Sequence, residues 1–395
     1  MRRRLGSWKS GLRSAFLLAG RGAPSLDAPS LSPGRMIERM MGPRRSWGLS
    51  QRPAAVAGSA AQGSGAGCQS GAGGRMDWKM GCACAAVLWA AAAQAADVAS
   101  AQLRRPEGLR GYLRVTPQPL PAGKRPLVIL LHGHGGSARQ LLGLGSGAAP
   151  LSQWMEIADR EGVLLVAPDG ARGGDGKAGW HDCRLDAASS PQTDDVGLIA
   201  AIIRREVAER DADPARVYAM GMSNGGMMAF RLASELGGSL AAFATVGASM
   251  ARRSGCAAPS HPLSALIVAG TADPVVPYAG GPVSLFGGKG RGEVIAVADS
   301  ASFWRRLDQL PDIPHSSAQL PHSNADDPTR ATLTQWGEGG AARRVLLLTI
   351  SGGGHVEPSI AHRVGPLYVH LLGHQSADAE SAELAWKLFR DQRRP

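Results

Sequence analysis

Five short runs of unbroken apolar residues constrain this chain more than any other feature. They are PLVILLHG (126–133), VLLVAPDG (163–170), RVYAMGMS (216–223), LSALIVAGTAD (263–273) and VLLLTISGGGH (345–355). A strand with one face in water alternates apolar and polar residues, and these runs do not. They fit strands buried on both faces, as in a parallel sheet covered by helices. Helical patterns lie between them. DDVGLIAAIIRREVAER (194–210) has apolar residues at 196, 199, 202, 203 and 207, behind Asp194 and Asp195 as caps. NGGMMAFRLASELGG (224–238) closes in glycines, SASFWRRLDQL (300–310) is a third pattern, and SAELAWKLFRDQRRP reads as a closing helix. This alternation predicts an α/β fold with a mostly parallel central sheet and helices on both faces. The intervening loops at 171–193 and 274–299 are long and Gly-rich, and long ordered loops often carry sites.

The formal net charge of +11 could suggest a nucleic acid partner, but its distribution argues otherwise. Residues 1–95 hold 13 Lys and Arg against 3 Asp and Glu, which leaves 30 against 29 for residues 96–395. The body of the chain therefore makes no case for nucleic acid binding. Residues 1–75 are rich in Gly, Ala, Arg, Ser and Pro without helical or strand period. They are expected to be a disordered or over-called extension. Residues 76–95 begin MDWKMGCACAAVLWA, with a weak charged start and an apolar stretch. Small residues follow at Ala93-Gln94-Ala95. That is the layout of a signal peptide cleaved near Ala95–Ala96, too short for a membrane span, so export without stable membrane insertion is expected. Of Cys68, Cys82, Cys84, Cys183 and Cys256, cleavage would leave only the last two. In an oxidising compartment these form one disulfide or stand as two thiols, and the compartment favours the pair.

The run ending in Ser223 raises a chemical question. Gly221-Met222-Ser223-Asn224-Gly225 sits where a strand stops and a helix starts. Gly-x-Ser-x-Gly in that setting is a nucleophile elbow, a sharp turn that lifts a serine hydroxyl above the sheet. The bland alternative is a tight-turn serine capping the helix. A serine needs a base, and the elbow fold orders its triad as Ser, acid, His. Asp273 ends a later apolar run. Its rivals are Asp299, which reads as a helix cap, and Asp169, which precedes the serine. His355 follows three glycines after the last apolar run, whereas His362, His370 and His374 read as surface or packing residues. HGHGG (132–136) is similar to a loop whose backbone N–H stabilises an oxyanion, here at His134, paired with the N–H of Asn224. The two histidines could instead ligate a metal, but no third ligand stands at suitable spacing, so no metal or cofactor is expected.

HGHGGS, VAPDG, GWHDCR, DDVGLI, RVYAMGMSNGGMMAFRLA, GTADPVVPYAGG and GGGHVEP occur in one order across residues 105–390. Together they resemble the secreted α/β-hydrolase esterases: polyhydroxybutyrate depolymerases and feruloyl or acetylxylan esterases (carbohydrate esterase family one and its relatives). The resemblance implies Ser223, Asp273 and His355 as the triad, a substrate-side Trp180, and a Cys183–Cys256 disulfide. It implies a secreted ester hydrolase acting on a polyester oligomer or an acylated or feruloylated polysaccharide. A serine peptidase on the same fold and a non-catalytic binding protein are the other classes. The chain departs from members with an aromatic after the histidine, since Val356-Glu357-Pro358 follow His355.

Overall fold

The computed structural model describes residues 96–394 apart from 285, 286 and 341; the expectations for 1–75 and 76–95 lie outside the described residues. The strands are β1 (Asp97–Arg105), β2 (Gly108–Thr116), β3 (Arg125–Leu131), β4 (Leu164–Pro168), β5 (Ala171–Arg172), β6 (Ala178–Gly179) and β7 (Ala212–Met222). They continue with β8 (Ala242–Val246), β9 (Ser264–Gly270), β10 (Gly281–Pro282), β11 (Glu293–Val294), β12 (Ser316–Gln319), β13 (Arg330–Trp336) and β14 (Val345–Ser351). The helices are α1 (Ala138–Leu141), α2 (Trp154–Glu161), α3 (Asp195–Glu209), α4 (Asn224–Glu235), α5 (Val297–Leu307), α6 (Pro366–Leu372) and α7 (Ser381–Phe389). One sheet runs in the order β1-β2-β4-β3-β7-β8-β9-β14-β13-β12. Its centre, β4 to β14, is parallel throughout, and antiparallel strands flank it on both sides.

The five apolar runs form β3, β4, β7, β9 and β14. Every residue of β3, β4, β8 and β9 is buried, as a sheet covered on both faces requires. Alternate side chains divide between two cores. Leu127, Ile129 and Leu131 of β3 pack with Ile199, Ile202 and Phe230 of α3 and α4 and Trp304 of α5. Val128 and Leu130 pack on the opposite face with Trp154 of α2 and Trp386 and Phe389 of α7. Tyr218 of β7 stacks on Phe389 with ring centroids 4.8 Å apart. Each such buried large side chain contributes about 1.5–3 kcal/mol relative to its exposed state.

The caps follow the sequence in part. Asp194 caps α3, accepting the Gly197 N–H at 2.8 Å. Asp195 is not a cap; it is wholly buried in the first turn and accepts from Arg110 at 2.8 Å and from the His181 N–H at 2.8 Å. Helix α5 starts at Val297, three residues before the pattern suggested, so Asp299 lies exposed in its first turn rather than capping it.

A buried ion pair ties β2 to α3. Glu206 is fully buried and accepts from Arg114 Nε at 2.7 Å, Arg114 Nη2 at 2.8 Å and the Tyr112 hydroxyl at 2.9 Å. Removing one partner of such a pair strands the other charge away from water. Glu206→Ala is expected to lower unfolding free energy by about 3–5 kcal/mol in urea denaturation, far more than a surface substitution.

Candidate active site

The site stands on the carboxyl ends of the parallel strands, where an open α/β sheet leaves its crevice. Ser223 follows β7, the 132–136 loop follows β3, Asp273 follows β9 and His355 follows β14. Ser223 has φ 57° and ψ −124°, a conformation that costs a non-glycine residue about 1–3 kcal/mol. The turn demands glycine on either side. A Cβ on Gly221 would lie 2.1 Å from the Gly225 carbonyl oxygen, and one on Gly225 would lie 2.2 Å from that of Leu131. The Ser223 N–H donates to the Val246 carbonyl at 2.8 Å, fixing the elbow to β8.

A continuous hydrogen-bond chain runs from this serine. Ser223 Oγ is 2.9 Å from His355 Nε2, and His355 Nδ1 is 2.7 Å from Asp273 Oδ2. The other Asp273 oxygen accepts the N–H groups of Val275 at 2.7 Å and Val276 at 2.8 Å. The carboxylate is thus held by three hydrogen bonds, with its second oxygen aimed at the imidazole. The His355 N–H donates to Leu372 at 2.6 Å, and Gly353 and Gly354 before it have no room for side chains: a Cβ on Gly354 would lie 2.0 Å from the Leu372 carbonyl oxygen.

The rivals go elsewhere. Asp169 accepts the Ala138 N–H at 2.8 Å at the start of α1. His362 bonds Gln153 at 2.9 Å, the His374 carbonyl accepts from Gly354, and His370 lies exposed on α6. Sequence reasoning missed Gly247 after β8, where φ is +56° and a Cβ would stand 3.1 Å from the His355 ring. A lone glycine closing the apolar stretch AFATV was the available signal.

The 132–136 loop passes beside the elbow, with Gly133 packed on Ser223 Cβ. Its shape is pinned by the Gly135 N–H donating to Ala178 at 2.7 Å and the Gly136 N–H to Gly133 at 3.0 Å. The N–H of His134 has no acceptor among the described residues. The N–H of Asn224 opens α4, where no intrahelical acceptor exists. Both residues line the same cavity as Ser223. His132 underpins them: it is buried, and its Nδ1–H donates to the Gly133 carbonyl at 2.7 Å while Nε2 accepts the Gly170 N–H at 2.9 Å. That pattern requires the neutral ring, and burial pushes its pKa down.

Trp180 departs from the expectation. Its side chain is 0 % exposed and does not line the cavity, so it is not on the substrate side. A buried indole N–H needs an acceptor, and Nε1 finds the His132 carbonyl at 2.8 Å. The Trp180 N–H donates to Asn224 Oδ1 at 2.7 Å, and Asn224 Nδ2 donates to Asp182 Oδ2 at 2.6 Å. Trp180 therefore supports the 132–136 loop and the elbow from behind. The same stretch is stapled by a disulfide between Cys183 and Cys256, whose Cα atoms are 5.2 Å apart.

No family model matches the chain. NocK from Nocardia uniformis subsp. tsuyamanensis, a protein named as an esterase, is 28 % identical over 270 residues, 67 % of this chain and 74 % of that protein. Feruloyl esterase B from Piromyces equi is 30 % identical over 237 residues, 59 % of this chain, and the chain spans 40 % of that relative's length. The solved acetyl xylan esterase of Aspergillus awamori is 14 % identical, with a TM-score of 0.44, covering 64 % of this chain and 92 % of that one. The sheet and its elbow make the chain an α/β-hydrolase. It is a carboxylic-ester hydrolase, similar to the esterase family that its motifs resemble.

Glu357, two residues past His355, is buried in the cavity wall and was not singled out from the sequence. Its carboxyl accepts the Leu151 N–H at 2.6 Å and the Ser381 hydroxyl, yet burial outweighs both and pushes its pKa up to about 7. A carboxyl raised on folding stabilises the fold fully below about 4.5, and that contribution is lost as pH climbs through about 7. The loss amounts to about 3 kcal/mol. Glu357→Gln, whose amide can serve the same two partners, is expected to flatten the fall in unfolding free energy between pH 4.5 and 7, read by denaturant titration at a series of pH values.

Proposed function

We propose that this chain is an exported serine esterase working through an acyl-enzyme on Ser223, with a polyester oligomer or an acylated or feruloylated polysaccharide as substrate. The observation that carries the reading is the unbroken chain Ser223 Oγ–His355 Nε2–Asp273 beside two unpaired backbone donors. His355 Nε2 takes the hydroxyl proton as Ser223 Oγ attacks the ester carbonyl. Asp273 keeps the proton of His355 on Nδ1 and stabilises the imidazolium. The N–H groups of His134 and Asn224 receive the oxyanion, and one such donor lowers the barrier by about 3 kcal/mol. The C–O bond to the alcohol breaks, and His355 returns the proton to the leaving alkoxide. Water, activated by the same imidazole, then adds to the acyl-enzyme and releases the acid. This hydrolysis calls for no metal or cofactor.

Export is supported by the signal-like stretch at 76–95 and by the Cys183–Cys256 bridge, which belongs to an oxidising compartment. Among the described residues no helix is long and apolar enough to cross a membrane. Mass spectrometry of protein recovered from the native host is expected to give an N-terminus near Ala96 and a mass two hydrogens below the reduced form. A chain beginning at Met1 with both thiols free removes the export reading.

Purified Ser223→Ala is expected to lose several orders of magnitude in turnover of a 4-nitrophenyl ester while keeping its fold, since a triad acts as a unit. A fluorophosphonate is expected to label the native chain at Ser223 and leave this variant unlabelled. Asp273→Asn is expected to cost about 10⁴ in kcat by stranding the imidazole tautomer, and Asp299→Asn very little. The opposite ranking moves the acid out of the strand-end position.

A further inference from the structure

We infer that the cavity recognises a carboxylate on its ester substrate and that Arg291 is the residue that binds it. This rests on the esterase reading above and narrows its substrate class. The cavity holds about 820 Å³, and the three arginines in its lining, Arg184, Arg291 and Arg363, differ in how far their donors are already used. Arg363 donates from Nη1 to the Ser359 carbonyl and from Nη2 to the Gln375 carbonyl, both at 2.7 Å. Arg184 is spent: Nε and Nη2 donate to Asp182 at 2.9 and 2.6 Å, and Nη1 donates to the backbone carbonyl of Arg291. It holds Arg291 in place. Among the described residues the Arg291 guanidinium makes a single hydrogen bond, from Nη2 to Asp175 Oδ2 at 3.3 Å, although its side chain is only 18 % exposed.

That partner is weak and shared. Asp175 also accepts the Lys177 N–H at 3.0 Å, lies 2.8 Å from His134 Nε2, and does not line the cavity. An enclosed cation with most of its donors unused is under-compensated. Burial, and then the nearby Arg184, accordingly lower the Arg291 pKa. A carboxylate arriving from the cavity side would meet the free edge of the guanidinium, with Asp175 behind it.

The approach to this cation is apolar. The Val275 N–H bonds Asp273, the Ser284 N–H donates to the Val275 carbonyl at 3.0 Å, and the Val283 N–H donates to Gly292 at 2.8 Å. Val275 and Val283 therefore line the wall between the acid loop and Arg291. On the other side Asp175 links Arg291 to His134 and the free donors. A substrate arm leaving the carbonyl along this wall passes aliphatic surface and ends at a cation. The chemistry that fits is a short aliphatic chain ending in a carboxylate. The carboxylate could belong to the acid part of the ester, as in a dicarboxylic half-ester. It could equally belong to the alcohol part, as at the free end of a hydroxy-acid oligomer.

Two substrate pairs separate these sources: 4-nitrophenyl hemisuccinate against 4-nitrophenyl butyrate, and 3-acetoxybutyrate against its methyl ester. In wild type the ratio of kcat/KM, acid over neutral, is expected to exceed that of Arg291→Gln by about tenfold or more in at least one pair. Arg291→Lys, which keeps the charge but loses the planar fork, is expected to fall between. The wild-type ratio is expected to shrink as salt rises. A preference in the first pair assigns the carboxylate to the acid part, and one in the second to the alcohol part. Equal ratios for wild type and Arg291→Gln in both pairs overturn the inference while leaving the esterase reading intact. A wild type that hydrolyses none of the four esters overturns both.

Discussion

The contact on which the site depends is backbone against backbone. The first turn of α4 runs so close to the end of β3 that a Cβ on Gly225 would overlap the carbonyl oxygens of both Leu131 and His132. This single approach brings together two loops that are about ninety residues apart in sequence. One carries Ser223, the other the 132–136 turn with its free N–H. Neither loop can be shifted without opening that contact, so the Ser223 hydroxyl and the N–H groups of the 132–136 turn are set by one packing constraint. The strained φ of Ser223 is tolerated because strands on both sides over-determine it: β7 enters the turn, and the Ser223 N–H is tied to β8.

Behind that contact lies a polar layer that transmits position rather than chemistry. Trp180 bonds the His132 carbonyl, Asn224 clamps the backbone of Trp180 and reaches Asp182, and Asp182 pairs with Arg184. Cys183 sits inside this run and is bridged to Cys256, so the layer is anchored covalently to the segment between β8 and β9. Arg231 of α4 adds a bond from Nη1 to the His181 carbonyl at 2.6 Å. Trp180, Asn224 and Arg184 find most of their acceptors within this small set of residues, which is what makes a buried polar layer rigid instead of costly. A substitution in it acts on the reacting groups through geometry alone.

What was legible in the sequence follows from what was doubly buried. The runs forming β3, β4, β9 and β14 could be read because a parallel strand covered on both faces permits no polar residue in its middle. The elbow was legible because two glycines flank the serine for a steric reason that holds in any such turn. β8 was missed because AFATV is only five residues of small and mixed side chains, too short a run to stand out behind the glycines that close the preceding helix. The β1–β2 hairpin was missed because its inward face uses Tyr112 and Arg114, and an arginine that is buried only by virtue of Glu206 on a distant helix looks like a solvent-facing residue. Trp180 was misplaced for a related reason. Its substrate-side place was implied by the family resemblance, and only the fold reveals that its N–H has a backbone acceptor to satisfy. Glu357 could not have been recognised at all, since its burial depends on α7 arriving from the far end of the chain.

The electrostatics of the site follow from these placements. His132 must stay neutral, because its Nε2 accepts the Gly170 N–H and a second proton would have nowhere to sit. Burial pushes His134 the same way, followed by the charge of Arg291. Glu357 sheds its charge below about 7 because it is buried away from water. The lining next to Ser223 is therefore kept close to uncharged, with Asp273 sequestered behind His355 and 1 % exposed. In such surroundings a newly formed charge is screened little, so in the proposed mechanism an imidazolium–Asp273 pair and an oxyanion would be felt at nearly full strength. The wall that breaks this neutrality is the one ending in Arg291, and a cation placed there acts on the part of the substrate that stays unchanged through the reaction. Charge that would compete with the oxyanion is held away from the carbonyl, and charge that orients the substrate is set at the end of an aliphatic wall. A single cavity thereby separates the field that selects from the field that catalyses.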